Sequence, residues 1–142
     1  MDHLMPFIHD NLLLVIAFVV ALIAYLTLEM RNRDASNISL SPQLAVMKMN
    51  QKNCQVIDLR DKEAFEQGHI VKAKQYDAAL KDLPSSLQKH TANPILLVCN
   101  AGIKAKQAAL LLKKQKFEQV FVLAGGLNAW KKENMPVVTG SK

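Results

Sequence analysis

Cysteine is scarce in this 142-residue chain. Two residues, Cys54 and Cys99, are too few for a disulfide framework and suit a reducing compartment. Aromatic residues are few, with one tryptophan, and they are not interleaved with the basic ones. A base-stacking platform for nucleic acid is therefore missing, and the net charge of +6 reads as a solvated, lysine-rich surface. Internal repeats and low-complexity tracts are absent too, which excludes solenoids and biased linkers. Half of the residues are apolar and about a fifth charged, which excludes a disordered chain. The length suits one domain with a little to spare.

Charge is missing altogether from Leu12–Leu28, seventeen residues that also contain no amide and no glycine. As a helix this run would be about 25 Å long, and one extra turn at either end brings it to the ~30 Å hydrocarbon core of a bilayer. A cleaved signal peptide would need a positive start and a small-residue cleavage site. The leader MDHLMPFIHD has two aspartates and neither lysine nor arginine, and Tyr-Leu-Thr-Leu-Glu ends the run. A buried core helix would carry a polar stripe, and this segment is apolar all round. The expectation is a membrane helix over 12–30, after a leader over 1–11 and before a polar linker over 31–37. Residues 1–34 hold four acids against Arg31 and Arg33, a net −2, so the remainder carries +8. With the basic residues all on the C-terminal side, the positive-inside rule predicts a single pass through a cell inner membrane. The N-terminus would lie outside and the C-terminal domain in the cytoplasm.

From residue 38 onward, strand and helix patterns alternate. Ile38–Leu40 reads as a brief strand. Ser41 and Pro42 open a helix as cap and first helical residue, with Leu40, Leu44 and Met47 spaced to face one core. Cys54–Leu59 is a strand, and RDKEAFEQG is a short helix ended by Gly68. Lys74–Tyr76 is a third short strand, and Asp82–His90 a helical turn with Pro84 near its start. Ile95–Cys99 is a buried strand, followed by a helix with Ala105, Ala108, Ala109 and Leu112 on one face. QVFVLAG and GLNAWKKE supply a last strand and a last helix. The fold class is α/β: a small, mainly parallel sheet with helices on both faces, over residues 38–142.

Cys99 ends a strand, and Asn100, Ala101, Gly102, Ile103 and Lys104 lead straight into a helix. Ligands of an open parallel sheet bind beyond the carboxyl ends of its strands. Gly102 lets successive N–H groups turn toward one point, the helix start adds unsatisfied donors, and Lys104 adds a charge. The stretch therefore reads as a nucleophilic sulfur in an anion cradle. It reads equally as a small buried hydrophobe, a common fate of cysteine.

Three motifs bear on that choice. VIDLRDKEAFEQGHIVKA, CNAGIKA and VLAGGLNAWKKENMPV resemble, in order and spacing, the Asp-x-Arg and Gly-His-Ile segment, the Cys-x-x-Gly-x-Arg active-site loop and the Gly-Gly-x-x-x-Trp tail of the rhodanese family of sulfurtransferases. The resemblance runs from about Ile38 to Val138 and implies a single rhodanese domain of bacterial type, which would follow the membrane helix expected from the apolar run. It further implies that Cys99 takes sulfane sulfur from a donor such as thiosulfate or a persulfide, holds it as a persulfide, and gives it to a thiol or cyanide. Asn100 to Lys104 would bind the substrate through backbone donors, with no metal and no cofactor. His3, His9, His69 and His90 are scattered. Lys104 stands where the family loop has arginine, which keeps the charge and loses the planar fork. Lys72 stands where a glycine commonly follows Gly-His-Ile-x. Related phosphatases carry an arginine six positions after the cysteine, where this chain has Ala105, which argues against phosphate ester hydrolysis.

The remaining conspicuous residues read as structural. Asp58 and Arg60 suit an ion pair bracing a strand end, and His69 a structural hydrogen bond. Gly125 and Gly126 suit close packing, Trp130 a core anchor, and Cys54 a partly buried packing site at the other end of its strand from Cys99. The competing expectation for function is a rhodanese-like module that serves as a membrane-tethered binding domain for a protein partner.

Overall fold

The computed structural model describes residues 4–140, without the side chains of 4–6 and 31–36. His3 therefore lies outside the described residues. Contacts divide the chain into two compact units between Ser36 and Asn37.

The first unit is helical. Helix α1 spans Leu4–Asp10 and α2 spans Leu12–Ile38. Within α2, Leu12–Met30 is long and apolar enough to cross a membrane, and none of it is buried by the rest of the chain. Leu13, for example, is 83% exposed. The polar stretch expected as a linker over 31–37 continues helix α2. Residues 31–37 contain neither glycine nor proline, so nothing in the backbone stops propagation of the helix past the apolar run.

The second unit holds a five-stranded sheet: β1 (Ser39–Leu40), β2 (Gln55–Asp58), β3 (Ala73–Gln75), β4 (Ile95–Val98) and β5 (Val120–Leu123). Its strand order is β1-β5-β4-β2-β3, and every pair is parallel. The helices are α3 (Pro42–Met49), α4 (Lys62–Gln67), α5 (Leu83–Ser86), α6 (Ile103–Lys114) and α7 (Gly126–Lys132), with single 3-10 turns flanking α5. All four residues of β4 are buried, as a central parallel strand requires.

Side-chain alternation sends Ile95, Leu97 and Cys99 to one face, where Leu83, Leu87, Ala105, Ala108, Ala109 and Leu112 cover them. Leu96 and Val98 face the opposite layer, with Ala45, Phe65, Leu127 and Trp130. The alanine stripe of α6 thus lies on the sheet as its spacing predicted. Trp130 is buried, and its Nε1–H donates to the Pro136 carbonyl at 2.9 Å.

Helix α3 buries a different face from the expected one. Ser41 does cap it through the Leu44 N–H, but Leu44 is 50% and Met47 67% exposed. Pro42 and Ala45 are buried instead, with Val46 and Met49 packed against that layer. Two apolar stripes compete on this helix. The one carrying the small Ala45 side chain lets the helix lie close to the sheet. Ile38, expected to begin the first strand, ends α2 with its side chain buried.

Candidate active site

The topology makes one crevice special. From β2 the chain winds through α4 to β3, and from β4 it winds through α6 to β5 on the other side of the sheet. The switch in winding direction falls between the adjacent strands β2 and β4, where ligands of open parallel sheets bind beyond the carboxyl ends. Leu59 continues β2 at that end, with its N–H on the Val98 carbonyl at 2.8 Å. Cys99 continues β4 beside it.

A cavity of about 360 Å³ opens there. Leu59, Arg60 and Asp61 after β2, Asp77 after β3, and Cys99, Asn100, Ala101, Ile103 and Lys104 after β4 line it. Cys99 is only 5% exposed, so it is both a core residue and the floor of the cavity. The two readings of this cysteine are therefore not exclusive.

The loop around the sulfur is held from beneath. Gly102 takes a left-handed conformation (φ 90°) that glycine adopts without strain, and its N–H donates to Cys99 Sγ at 3.0 Å. The N–H groups of Leu127 and Asn128, in the first turn of α7, donate to the carbonyls of Cys99 (2.8 Å) and Asn100 (3.1 Å). A planar trans peptide points each following N–H the opposite way, so the N–H groups of Asn100 and Ala101 face away from α7. Gly126 makes this seat possible: a Cβ there would stand 2.3 Å from the Cys99 carbonyl oxygen. Of the six residues Cys99 to Lys104 expected at the site, five line the cavity. Gly102 is buried and acts through its N–H.

The charged groups divide sharply. Arg60 lines the cavity, but its guanidinium is turned back onto Asp58. Its Nη2 lies 2.7 Å from Asp58 Oδ2 and 2.8 Å from the Gly68 carbonyl, while Nη1 reaches the Ala64 carbonyl at 3.1 Å. Both residues are buried, so this is the expected brace of the β2 end and not a substrate contact. Lys104 sends Nζ to the Leu59 carbonyl at 2.7 Å, tying the loop after β4 to the one after β2. His69 is buried, stacks on Phe65 and shares its Nδ1 with the Phe65 carbonyl at 2.8 Å, and it is not among this cavity's lining residues. Lys72 adopts φ 65°, the left-handed conformation for which glycine is the strain-free choice. Among the described residues no three His, Cys, Asp or Glu side chains gather as a metal site.

Asp61 and Asp77 escaped the sequence reading. Asp61 carries a helix-cap signal, which α4 uses: its Oδ1 accepts the Ala64 N–H at 2.8 Å. Nothing local marks Asp77 as a neighbour of Cys99, since the two meet only through the order β4-β2-β3.

A thiol on the floor of a switch-point crevice, beside a glycine-containing loop at a helix start, sits in an α/β domain with a parallel sheet. The chain belongs to the rhodanese-like domain family, whose model matches residues 41–133. It is 30% identical to YibN of Escherichia coli K12, an uncharacterized protein, with 99% of both chains covered. It is also 32% identical over 90 residues to the thiosulfate sulfurtransferase GlpE of Vibrio cholerae, covering 63% of this chain and 83% of that one. Among solved structures, the thiosulfate sulfurtransferase of Pseudomonas aeruginosa superposes with a TM-score of 0.63 at 22% identity, covering 72% of this chain and 19% of that one. The Anabaena protein Alr3790 gives 0.62 at 24% identity, covering 71% and 82%. These likenesses are of fold.

Proposed function

We propose that this protein is a membrane-anchored sulfurtransferase that carries sulfane sulfur as a persulfide on Cys99. The observation that carries the reading is the Gly102 N–H aimed at Cys99 Sγ from 3.0 Å on the floor of the cavity. A donor fixed on that sulfur holds negative charge there without reorganising. The Cys99 sulfur anion attacks the outer sulfur of a donor such as thiosulfate or a persulfide. With thiosulfate, the new S–S bond forms as the old one breaks, and sulfite leaves with the electron pair. An acceptor thiolate then attacks the outer sulfur of Cys99–S–S⁻, and the pair returns to Cys99. Asn100, Ala101, Gly102, Ile103 and Lys104 form the substrate cradle, and the chemistry asks for no cofactor.

The thiosulfate sulfurtransferase activity named for the Vibrio cholerae relative supports the reaction class. The apolar helix Leu12–Met30 and the basic domain behind it support a single-pass inner-membrane protein with its catalytic domain in the cytoplasm. A C-terminal reporter active only outside the cytoplasm should stay silent, and a signal from it would overturn that orientation. For the reaction, donor-treated protein should gain the mass of one sulfur on Cys99 in intact-mass spectrometry. No gain in the wild type would sink the enzyme reading.

A second reading rests on Lys104. Its Nζ already serves the Leu59 carbonyl, where a forked arginine would grip an anion, and this suits a tethered module that binds a membrane protein. Capture of one partner from solubilised membranes, unchanged by Cys99→Ser, would favour it.

A further inference from the structure

The cavity over Cys99 holds more negative than positive charge. Its lining includes the charged residues Asp61, Asp77 and Lys104, whereas the Arg60 guanidinium is buried against Asp58. Lys104 donates one hydrogen bond from Nζ to the Leu59 carbonyl and keeps its single positive charge. Asp61 uses one oxygen to cap α4, and Asp77 is exposed, with its side chain in no hydrogen bond or ion pair among the described residues. The two carboxylates come from separate loops, after β2 and after β3, and share a wall only because β3 lies next to β2. An incoming anion thus meets two carboxylates against one ammonium at the mouth, although the backbone donors deeper in would welcome it.

Resting on the sulfurtransferase reading above, we propose that Asp61 and Asp77 are specificity-determining residues that favour acceptor thiols bearing a neighbouring positive charge over anionic ones. The carboxylates act on the acceptor's approach and not on the bond exchange. In that exchange the acceptor sulfur attacks the outer sulfur of Cys99–S–S⁻, the S–S bond breaks, and its electron pair returns to Cys99 Sγ. Charge complementarity at a rim changes encounter and specificity more than the chemical step, and it weakens with salt.

The test uses the full chain in micelles of an uncharged detergent. Cys99 is first loaded with sulfur, and the loading is read by intact mass before any acceptor is added. A chain that never loads refutes the sulfurtransferase reading on which the proposal rests. A loaded chain is then discharged with cysteamine, which carries an ammonium, or with 3-mercaptopropionate, which carries a carboxylate. The rate ratio of the two is compared between wild type and an Asp61→Asn, Asp77→Asn double variant. Comparing ratios cancels the intrinsic reactivity of each thiol, and asparagine keeps the α4 cap. The ratio should be about fivefold higher in the wild type at low ionic strength. Equal ratios would overturn the proposal. Should the double variant misfold, the single variant Asp77→Asn, at an exposed residue outside any helix cap, makes the same comparison with a smaller change. Salt should slow cysteamine and speed 3-mercaptopropionate, and parallel salt slopes for the two overturn the proposal.

Discussion

The two cysteines sit at opposite ends of one sheet and inhabit different chemistry. Cys54 lies just before β2, partly exposed, and its thiol joins no hydrogen bond among the described residues. Burial pushes that thiol above its ordinary value of 9.0, with the nearby Lys48 ammonium pulling the other way. Cys99 lies just after β4, is more deeply buried, and receives the Gly102 N–H in a cavity. Exposure alone would pick Cys54 as the reactive thiol. What distinguishes Cys99 is its position: at the carboxyl ends of parallel strands the chain turns into helix starts, and N–H groups converge.

The comparison breaks outright if the wrong thiol carries sulfur. Cys99→Ser should abolish the added sulfur seen by mass spectrometry, and Cys54→Ser should leave it intact. Sulfur on Cys54 after donor treatment would reverse the assignment.

The scaffold at the Cys99 end comes next in size. Arg60→Ala strands the buried Asp58 carboxylate and should cost about 3–5 kcal/mol in chemical denaturation. Gly126→Ala must push the Cys99 loop off its seat, since the new Cβ would collide with the carbonyls of Cys99 and Asn100. It should lose at least ~2 kcal/mol and most of the sulfur loading. Gly140→Ala, which shares a positive φ (106°) but has open space around it, controls for backbone strain alone, and equal losses in both would refute the seat.

A smaller effect concerns Lys104. Lys104→Arg restores a planar fork at the mouth and should raise kcat/KM for thiosulfate several-fold, on the order of 1 kcal/mol. A fall would show that the lysine's tie to Leu59 matters more than its charge. The smallest effect is at Cys54. Because its folded-state value is raised, the protein favours the neutral thiol. That contribution is whole below the unfolded value near 9.0 and is lost as pH rises through the folded one. Cys54→Ala should therefore flatten the alkaline fall in Tm slightly while leaving Tm at pH 7 to packing alone. An unchanged alkaline slope would refute the shift.

Much of the fold was legible because its signals are local. The alanine stripe of α6, the Gly68 stop of α4 and the four-residue apolar run of β4 announce themselves within a few residues. Cys99 and its loop were legible for the same reason, as a strand end next to a helix start. Helix α3 was misread because two apolar stripes fit one helical period, and only the neighbouring sheet selects between them. The helical state of the stretch over 31–37 was not legible from its polarity, because helix continuation depends on the absence of breakers.

The division of labour between chain and fold follows from range. Short-range pattern was enough to establish a membrane-length apolar helix, an α/β domain of rhodanese type, and a thiol at the mouth of a strand. It also paired Asp58 with Arg60, two residues apart. Tertiary structure alone decided that Asp61 and Asp77 share a wall with Cys99. It decided too that Lys104 reaches a carbonyl 45 residues away, and that α7 holds the loop through Gly126. Those contacts depend on which strands lie side by side, and strand order in a parallel sheet is set by long-range packing that no local pattern encodes.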